Sequence, residues 1–303
     1  MSRQHPHTPC VVLVIGASSG IGLSAARAFA ARGDHLILAS RNGAGLAAAA
    51  EQALADGAAS ALVLTADVCE EDEVDTLFDR AMDQHGVLDV VVHTATVMAY
   101  GTVNELPSDV FTKVVRTAIE GTFFVARRAV SVFIGQQRGT LVIVNSLLGT
   151  IAAPEMGAYV TAKWGQAGLI RTLQIETRKQ HAINVCAVSP AGVNTPIYAQ
   201  AANVTGRTAR PPIPVDPPEK VAQAILRCVD RPKARRSVGL ANPLIVLGFR
   251  LFPAIFDALV TPLLHLVSLT RKPTDATTGN VFEPRQSGDA EHGPWVSRWK
   301  PRP

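Results

Sequence analysis

The middle of the chain contains three residues whose types and spacing suit proton transfer: Ser146, Tyr159 and Lys163. Lys163 follows Tyr159 by four positions, which places both side chains on one face of a helix. A phenol with an ordinary pKa of ~10 is a poor base at neutral pH, but an adjacent ammonium group lowers that pKa. We therefore expect Tyr159 to exchange a proton with a substrate oxygen that Ser146 holds by a hydrogen bond. The alternative is an ordinary helix surface, on which a Tyr-x3-Lys pair arises by chance.

A glycine-rich stretch, GASSGIG, carries Gly16, Gly20 and Gly22 near the start of the chain. A bound pyrophosphate requires a tight turn, a close approach of the backbone and a helix N-terminus directed at the phosphates. The glycines meet the first two needs, and a helix from Gly20 onward meets the third. A plain strand-to-helix turn is the alternative. Because the stretch follows an apolar strand and opens a helix, we predict a dinucleotide-binding loop.

These residues are set within alternating strands and helices that run through most of the chain. Short apolar runs predict strands over 11–15, 35–39, 61–65, 88–93, 140–145, 183–188 and 237–240. Longer segments with helical periodicity predict helices over 20–32, 43–56, 70–85, 108–135, 157–180 and 217–231. Strands that are apolar on both faces are typical of parallel sheets covered by helices. The sequence predicts an α/β fold with a doubly wound, mostly parallel, seven-stranded Rossmann-like sheet.

We predict three parts of the chain: a dinucleotide-binding and catalytic domain over 1–242, an apolar helical extension over 243–270 and a polar tail over 271–303. The first part contains a proline-rich stretch over 190–218, which we expect to form a long loop without regular structure. Its prolines are Pro190, Pro196, Pro211, Pro212, Pro214, Pro217 and Pro218.

Taken in order, these motifs resemble those of the single-domain short-chain dehydrogenase/reductases. The resemblance covers roughly residues 10–240 and rests on GASSGIG, Asp67-Val68, Ser146, the Tyr159/Lys163 pair and PAGVNTP. It implies an oxidoreductase that interconverts a carbonyl and a secondary alcohol, with Tyr159 as the general acid/base. It also implies that Ser146 positions the reacting oxygen, and that Lys163 binds the nicotinamide ribose and lowers the pKa of Tyr159.

The same resemblance implies a nicotinamide dinucleotide cofactor, with Asp67 bonded to the adenine amino group and Thr195 to the carboxamide. Arg41 follows the second strand, where NAD-preferring relatives usually carry an acidic residue. A guanidinium suits a 2′-phosphate, so NADP(H) is favoured over NAD(H). An exposed loop arginine is the alternative, and Ser19 stands where NADP-preferring relatives often carry a second basic residue. The expected cofactor contacts are Gly16, Ser18, Ser19, Gly20, Ile21, Gly22, Arg41, Asp67, Val68, Tyr159, Lys163, Pro190, Val193 and Thr195.

Two positions depart from the family pattern. The usual Asn-Asn-Ala-Gly reads His-Thr-Ala-Thr from His93 onward, and Ala118 replaces the asparagine that holds a water of the proton relay. We expect His93 to be a hydrogen-bonded packing residue, with a catalytic base as the alternative. Because the Ser-Tyr-Lys set is intact, we expect an active enzyme with a rewired relay. The alternative is a catalytically impaired nucleotide-binding sensor or scaffold of the same fold.

Apolar residues flank the expected site, namely Ile151, Met156, Ile197 and Tyr198. They predict a small apolar carbonyl or alcohol substrate. Steroids, lipid-like ketones and xenobiotic ketones are all compatible with them.

The extension over 243–270 is apolar around its whole circumference, which predicts a helix that is buried or in lipid. Its longest stretch without Asp, Glu, Lys or Arg is 258–270, which is shorter than the ~20 residues of a membrane span. Pro253 and Pro262 predict kinks. The sequence leaves three roles possible for this extension: a subunit interface, a cover over the substrate pocket or a peripheral membrane contact.

The composition excludes several other classes of protein. The 303 residues are 47% hydrophobic and 18% charged, which is too apolar for a disordered chain. The net charge of +4 comes without a basic stripe interleaved with aromatics, which argues against a nucleic acid partner. Four scattered cysteines without a CxxC spacing argue against a disulfide scaffold and a metal site. The N-terminus lacks the pattern of a signal peptide, so we expect a cytoplasmic, homo-oligomeric protein, with membrane association through 243–270 as the alternative.

Overall fold

The computed structural model describes residues 8–285 and 288–295. The strands of this part of the chain are β1 (Val11–Ile15), β2 (His35–Ser40), β3 (Ser60–Thr65), β4 (Val90–His93), β5 (Ala99–Tyr100), β6 (Gly139–Val144), β7 (Ile183–Pro190), β8 (Ala202–Asn203), β9 (Arg207–Ala209), β10 (Arg235–Val238) and β11 (Leu269–Pro273). The helices are α1 (Gly20–Ala30), α2 (Gly43–Ala55), α3 (Glu71–His85), α4 (Ser108–Gln136), α5 (Gly157–Glu176), α6 (Ile197–Gln200), α7 (Pro218–Asp230), α8 (Asn242–Leu251) and α9 (Pro253–Val267).

Seven parallel strands form the central sheet in the order β10-β7-β6-β4-β1-β2-β3. The strand order reverses at β1, which pairs with β2 on one side and with β4 on the other. In open α/β sheets, ligands bind at the carboxyl ends of the strands beside such a reversal. The topology therefore places a binding cleft at the ends of β1 and β4.

The apolar strands fold this way because helices cover both faces of the sheet. Alternate residues of β1 enter two separate cores, since successive side chains of a strand point to opposite faces. Val12 and Val14 pack in the core that contains Phe29 of α1. Leu13 and Ile15 pack in the core that contains Phe78 of α3. The predicted doubly wound sheet is confirmed, and its elements begin and end within a few residues of the predicted positions.

The prediction of a long loop without regular structure over 190–218 is wrong in part. The segment contains α6 and the short strands β8 and β9. Several of its prolines lie at the ends of elements, where the missing backbone N–H costs least. Pro190 ends β7, Pro196 immediately precedes α6, and Pro218 opens α7. Proline at the first position of a helix is favourable because its missing N–H has no partner there.

The apolar extension forms two helices, α8 and α9, which separate at Phe252. Within this chain the segment is only partly buried, so a subunit interface, a pocket cover and a membrane contact stay possible. One side faces the cleft, while Leu247, Leu251 and Leu266 on the other side are 48%, 63% and 69% exposed. Proline at position 253 starts a new helix instead of kinking a continuous one. Among the helices of residues 8–285 and 288–295, none has the length and apolar character that a membrane crossing requires.

The described part of the polar tail folds back onto the rest of the protein. Strand β11 pairs with β9 in antiparallel fashion, and Val281 is fully buried. Residues 286–287 and 296–303 of the predicted tail lie outside the described residues. The division into three parts stays a prediction.

Candidate active site

A cavity of about 920 Å³ runs along the carboxyl edge of the sheet. Its polar end is lined by the glycine-rich loop, and its other end by apolar residues of α8 and α9. The structure brings all of the site residues expected from the sequence to the wall of this one cavity. The cavity therefore joins a loop suited to phosphate with a chamber suited to an apolar molecule.

The glycine-rich loop has the tight backbone that its sequence predicts. Gly16 and Gly20 have φ values of +89° and +54°, a region that side chains disfavour. A Cβ on Gly22 would lie 2.0 Å from the carbonyl oxygen of Gly16, and a Cβ on Gly20 would lie 3.2 Å from Cβ of Thr195. A side chain at Gly20 would thus enter the space between the loop and Thr195, and one at Gly22 would collide with the backbone of the loop itself. This cradle fits a dinucleotide pyrophosphate.

Ser146, Tyr159 and Lys163 are buried and lie together in the cavity wall. Ser146 follows β6 and accepts a hydrogen bond at Oγ from the backbone N–H of Leu148, at 3.1 Å. Tyr159 and Lys163 lie one turn apart in α5, with Nζ of Lys163 5.6 Å from the centre of the Tyr159 ring. Nζ of Lys163 also donates to the carbonyl oxygen of Val144 at 3.1 Å. The two side chains therefore lie on one face of α5, as their spacing of four residues predicts.

The expected lowering of the Tyr159 pKa is not what the structure shows. Burial raises the pKa of the Tyr159 phenol well above its ordinary value, Tyr198 adds to the rise, and a hydrogen bond with Ser146 opposes it. Burial also lowers the pKa of Lys163 to about 7. A lysine that has lost much of its charge near neutral pH cannot stabilise a phenolate strongly. The neutral phenol is therefore the form of Tyr159 at neutral pH.

A buried polar chain behind Lys163 was not foreseen from the sequence. Nζ of Lys163 donates to Oε1 of Gln166 at 3.0 Å, and Nε2 of Gln166 donates to Oγ1 of Thr122 at 2.8 Å. Nε2 of His93 lies 3.1 Å from the same Thr122 hydroxyl. Gln166 follows Lys163 by three positions on α5, which is the one sequence signal that could have suggested the contact.

His93 is buried at the end of β4, and its pKa is lowered to about 3, mainly by burial and further by Lys163. It is neutral and bonded to Thr122, in agreement with a packing residue. Ala118 lies in an apolar cluster with Val97 and Ala162, so its side chain offers no hydrogen bond to a water there.

The candidate residues for the adenosine end have protein partners in this structure. Arg41 donates to the backbone carbonyl oxygens of Asn280 (2.8 Å), Phe282 (3.2 Å) and Val281 (3.4 Å). Asp67 accepts from the backbone N–H of Cys69 at 2.9 Å and lies 3.2 Å from Nζ of Lys113. The contacts of Arg41 with the distant tail could not be foreseen from the sequence around it.

The loop after β7 supplies the opposite wall of the cleft. Pro190, Val193 and Thr195 are buried and line the cavity. Oδ1 of Asn194 is buried without a hydrogen-bond partner among the described residues. This loop faces the glycine-rich loop across the cleft.

The chamber beyond Tyr159 is apolar. The flanking residues expected from the sequence, Ile151, Met156, Ile197 and Tyr198, all line it. Burial raises the pKa of Tyr198 to about 12, so this second phenol is neutral as well. Phe256 and Val260 of α9 close the chamber from the side of the extension.

Comparisons with known proteins agree with this arrangement. A family model described as short chain dehydrogenase matches residues 10–204. A cis-4-hydroxycyclohexanecarboxylate dehydrogenase of Sinomonas cyclohexanicum is 34% identical over 227 residues, which cover 71% of this chain and 87% of that protein. An uncharacterized oxidoreductase of Bacillus subtilis is 28% identical over 268 residues, covering 88% of this chain and 75% of that protein.

Among solved structures, an alcohol dehydrogenase from the archaeon Thermococcus sibiricus complexed with 5-hydroxy-NADP superposes with a TM-score of 0.66. The match covers 76% of this chain and 96% of that chain at 23% sequence identity, which shows a shared fold. The chain belongs to the short-chain dehydrogenase/reductase family. It is an oxidoreductase whose fold binds a nicotinamide cofactor.

Proposed function

We propose that the protein is an NADP(H)-dependent oxidoreductase that interconverts a carbonyl and a secondary alcohol on an apolar substrate. The observation that carries the proposal is the position of Ser146, Tyr159 and Lys163 in one cavity, between a phosphate-type loop and an apolar chamber. A scaffold without turnover would not need a buried phenol and a buried amine at this place.

The chain's own residues move and hold the proton. Tyr159, kept neutral by burial, donates its phenolic proton to the carbonyl oxygen in reduction and takes it back in oxidation. The Ser146 hydroxyl holds that oxygen by a hydrogen bond. Lys163, with a pKa of about 7, exists in both protonation states near neutral pH and lies one helical turn from Tyr159. When bound, the nicotinamide supplies or takes up the hydride.

The residues that would hold the cofactor follow the cleft from end to end. The glycine-rich loop and the first turn of α1 would bind the pyrophosphate, Thr195 the carboxamide and Asp67 the adenine amino group. Arg41 would bind the 2′-phosphate, which favours NADP(H), with NAD(H) as the alternative. A related fold that carries an NADP analogue supports this choice.

The substrate class follows from the chamber. Its walls are formed by apolar side chains such as Met156, Ile197 and Phe256, so a cyclic or lipid-like ketone would bury its carbon skeleton there. A relative named for a hydroxycyclohexane acid supports a ring-bearing alcohol or ketone. Steroid and xenobiotic ketones fit the same chamber.

The exposed side of α8 and α9 is apolar, which favours a further binding partner for this surface. Leu247, Leu251 and Leu266 are 48%, 63% and 69% exposed and do not line the cavity. Apolar surfaces of this kind are rare on free-standing proteins unless another surface covers them. The partner is either a second copy of this chain or the surface of a membrane.

Substitution of the phenol tests the chemistry directly. Tyr159→Phe removes the transferable proton and keeps the ring, so ketone reduction falls by about two to four orders of magnitude while NADPH binding is retained. The control is Tyr198→Phe, which removes the other phenol of the same chamber and leaves the Ser-Tyr-Lys set intact. A Tyr159→Phe variant with unchanged turnover would contradict the proposal. Wild-type protein that binds NADPH but reduces no ketone in a broad panel would favour the sensor or scaffold alternative.

A further inference from the structure

A segment near the C-terminus lies across the cofactor cleft. It comprises residues 280–285 and 288–295, which we name the C-terminal strap. Asn280, Pro284, Arg285 and Asp289 of the strap line the same cavity as the glycine-rich loop and Tyr159. The strap is more than 120 residues away from Tyr159 along the chain, so this proximity exists only in the folded protein.

The strap begins at the guanidinium that we assign to the 2′-phosphate. Arg41 donates to three consecutive backbone carbonyl oxygens, those of Asn280, Val281 and Phe282. Val281 is fully buried, which fixes this end of the strap. The strap thus supplies neutral oxygen acceptors to the group that would otherwise face a phosphate.

The middle of the strap lies against the glycine-rich loop. The backbone N–H of Gly20, in the first turn of α1, donates to the carbonyl oxygen of Ala290 at 2.9 Å. N–H groups at a helix N-terminus are the groups that bind phosphate. One strap carbonyl therefore occupies a donor of the predicted pyrophosphate site.

A carboxylate accompanies that carbonyl. Oδ2 of Asp289 accepts from Nδ2 of Asn42 at 2.8 Å, and Oδ1 accepts from Nε2 of Gln200 at 3.0 Å. A Cβ built on Gly45 would lie 2.8 Å from Oδ2 of Asp289 and 3.1 Å from Cβ of Ser18. Asp289 therefore brings a negative charge beside the loop where the phosphates of a dinucleotide would lie.

The far end of the strap is attached to both sides of the cleft. Glu291 forms an ion pair with Arg27 of α1, and His292 bonds to Glu219 of α7 at 2.8 Å. The backbone N–H of Gly293 donates to the carbonyl oxygen of Asn194 at 3.2 Å. The Trp295 ring packs edge-on against Tyr198, with ring centres 5.7 Å apart. The strap therefore bridges the glycine-rich loop and the loop after β7.

We propose that the C-terminal strap is an autoinhibitory segment that competes with the phosphates of the dinucleotide for Gly20 and Arg41. The inference rests on the cofactor site of the proposed function. A bound dinucleotide brings several negative charges, which the Asp289 carboxylate repels at close range. The strap must leave the loop before the cofactor binds, and the affinity for the cofactor is reduced by the fraction of molecules in which the strap is open.

This competition predicts how the affinities for NADPH and NADH change when the strap is removed. A strap that is closed in nine molecules of ten weakens every dinucleotide about tenfold, because the same closed state excludes each of them. NADPH and NADH therefore gain affinity by the same factor when the part of the strap at the pyrophosphate loop is removed. A change limited to NADPH would instead indicate an effect on Arg41 alone.

Two variants test the inference. The first ends the chain after Arg285, which keeps the buried Val281 and the contacts of Arg41 and removes Asp289 and Ala290. The second is Asp289→Asn, which keeps the full chain and removes one negative charge, and its matched control is Glu283→Gln at an exposed position of the strap. Dissociation constants of NADPH and NADH are measured by cofactor fluorescence, and folding is checked by circular dichroism.

We expect the shortened chain to bind both cofactors about tenfold more tightly, Asp289→Asn to show a smaller gain of the same sign, and Glu283→Gln to match the wild type. Hydrogen exchange of strap amides 288–295 should become faster when NADPH saturates the full chain. Weaker or unchanged binding after shortening, or slower exchange with NADPH, would overturn the inference and make the strap a cover over bound cofactor. If no variant binds either cofactor, the proposed function fails, and the inference fails with it.

Discussion

Replacement of Lys163 by methionine tests the electrostatic account of the site. Lys163 is 1% exposed, and burial lowers its pKa from 10.5 to about 7. At ~1.36 kcal/mol per pKa unit, this corresponds to about 5 kcal/mol of unfavourable free energy for the charged lysine in the folded chain. Methionine has a similar length and carries no charge. Lys163→Met therefore removes this cost of burying a charge from the free energy of unfolding.

The pH dependence of stability separates the cost of burying the charged lysine from the loss of the hydrogen bonds that Lys163 makes. The unfolded lysine keeps its proton up to its ordinary pKa, whereas the folded lysine releases it near pH 7. Between these values the unfolded state binds more protons, so the stability of the wild type rises with pH. Lys163→Met lacks this rise. Its stability relative to the wild type should therefore fall by about 2 kcal/mol between about pH 7 and about pH 9, at up to ~1.36 kcal/mol per pH unit.

The measurement is urea unfolding of the cofactor-free protein at several pH values. The hydrogen bonds that Lys163 makes to Val144 and Gln166 add a constant offset and leave the slope unchanged. Lys179→Met, at an exposed lysine, is the control and should show no such slope. A stability difference between Lys163→Met and the wild type that stays constant with pH would refute the reasoning, because Lys163 would then keep an ordinary pKa in the folded protein.

The remaining predictions concern the cofactor and the exposed helices. Arg41→Ala should reduce the ratio of NADPH to NADH affinity by about fivefold to 150-fold, the ~1–3 kcal/mol of a charge-assisted hydrogen bond; equal changes for both cofactors would contradict the assignment. Leu266→Lys, at an exposed residue of α9 that does not line the cavity, should give monomers in analytical ultracentrifugation if the exposed side of α9 packs against a second copy. If it contacts a membrane, the same change should abolish cosedimentation with anionic vesicles, which Arg235 and Arg250 make sensitive to salt. A wild type that is monomeric and indifferent to vesicles would contradict both.

Much of the fold could be predicted because it depends on local patterns. The strand before Gly16 and the helix after it are determined by an apolar run and a glycine-rich turn, and the pairing of Tyr159 with Lys163 follows from helical spacing. The direction of the Tyr159 pKa could not be predicted, since it depends on burial by residues far apart in the chain. The contacts of Arg41 with the strap join residues 239–241 positions apart, and no local pattern encodes such a pairing.

Helix α9 both lines the chamber and reaches the outer surface of the protein. This position affects how large a molecule the chamber could take. Ile255, Leu259 and Leu263 line the chamber and are also half exposed, so the apolar wall of the chamber continues toward the outer surface. On the proposed ring-bearing substrate, a long alkyl substituent would extend past α9 and stay in contact with these apolar side chains. The chamber would then limit the size of the ring near Tyr159 more than the length of the substituent.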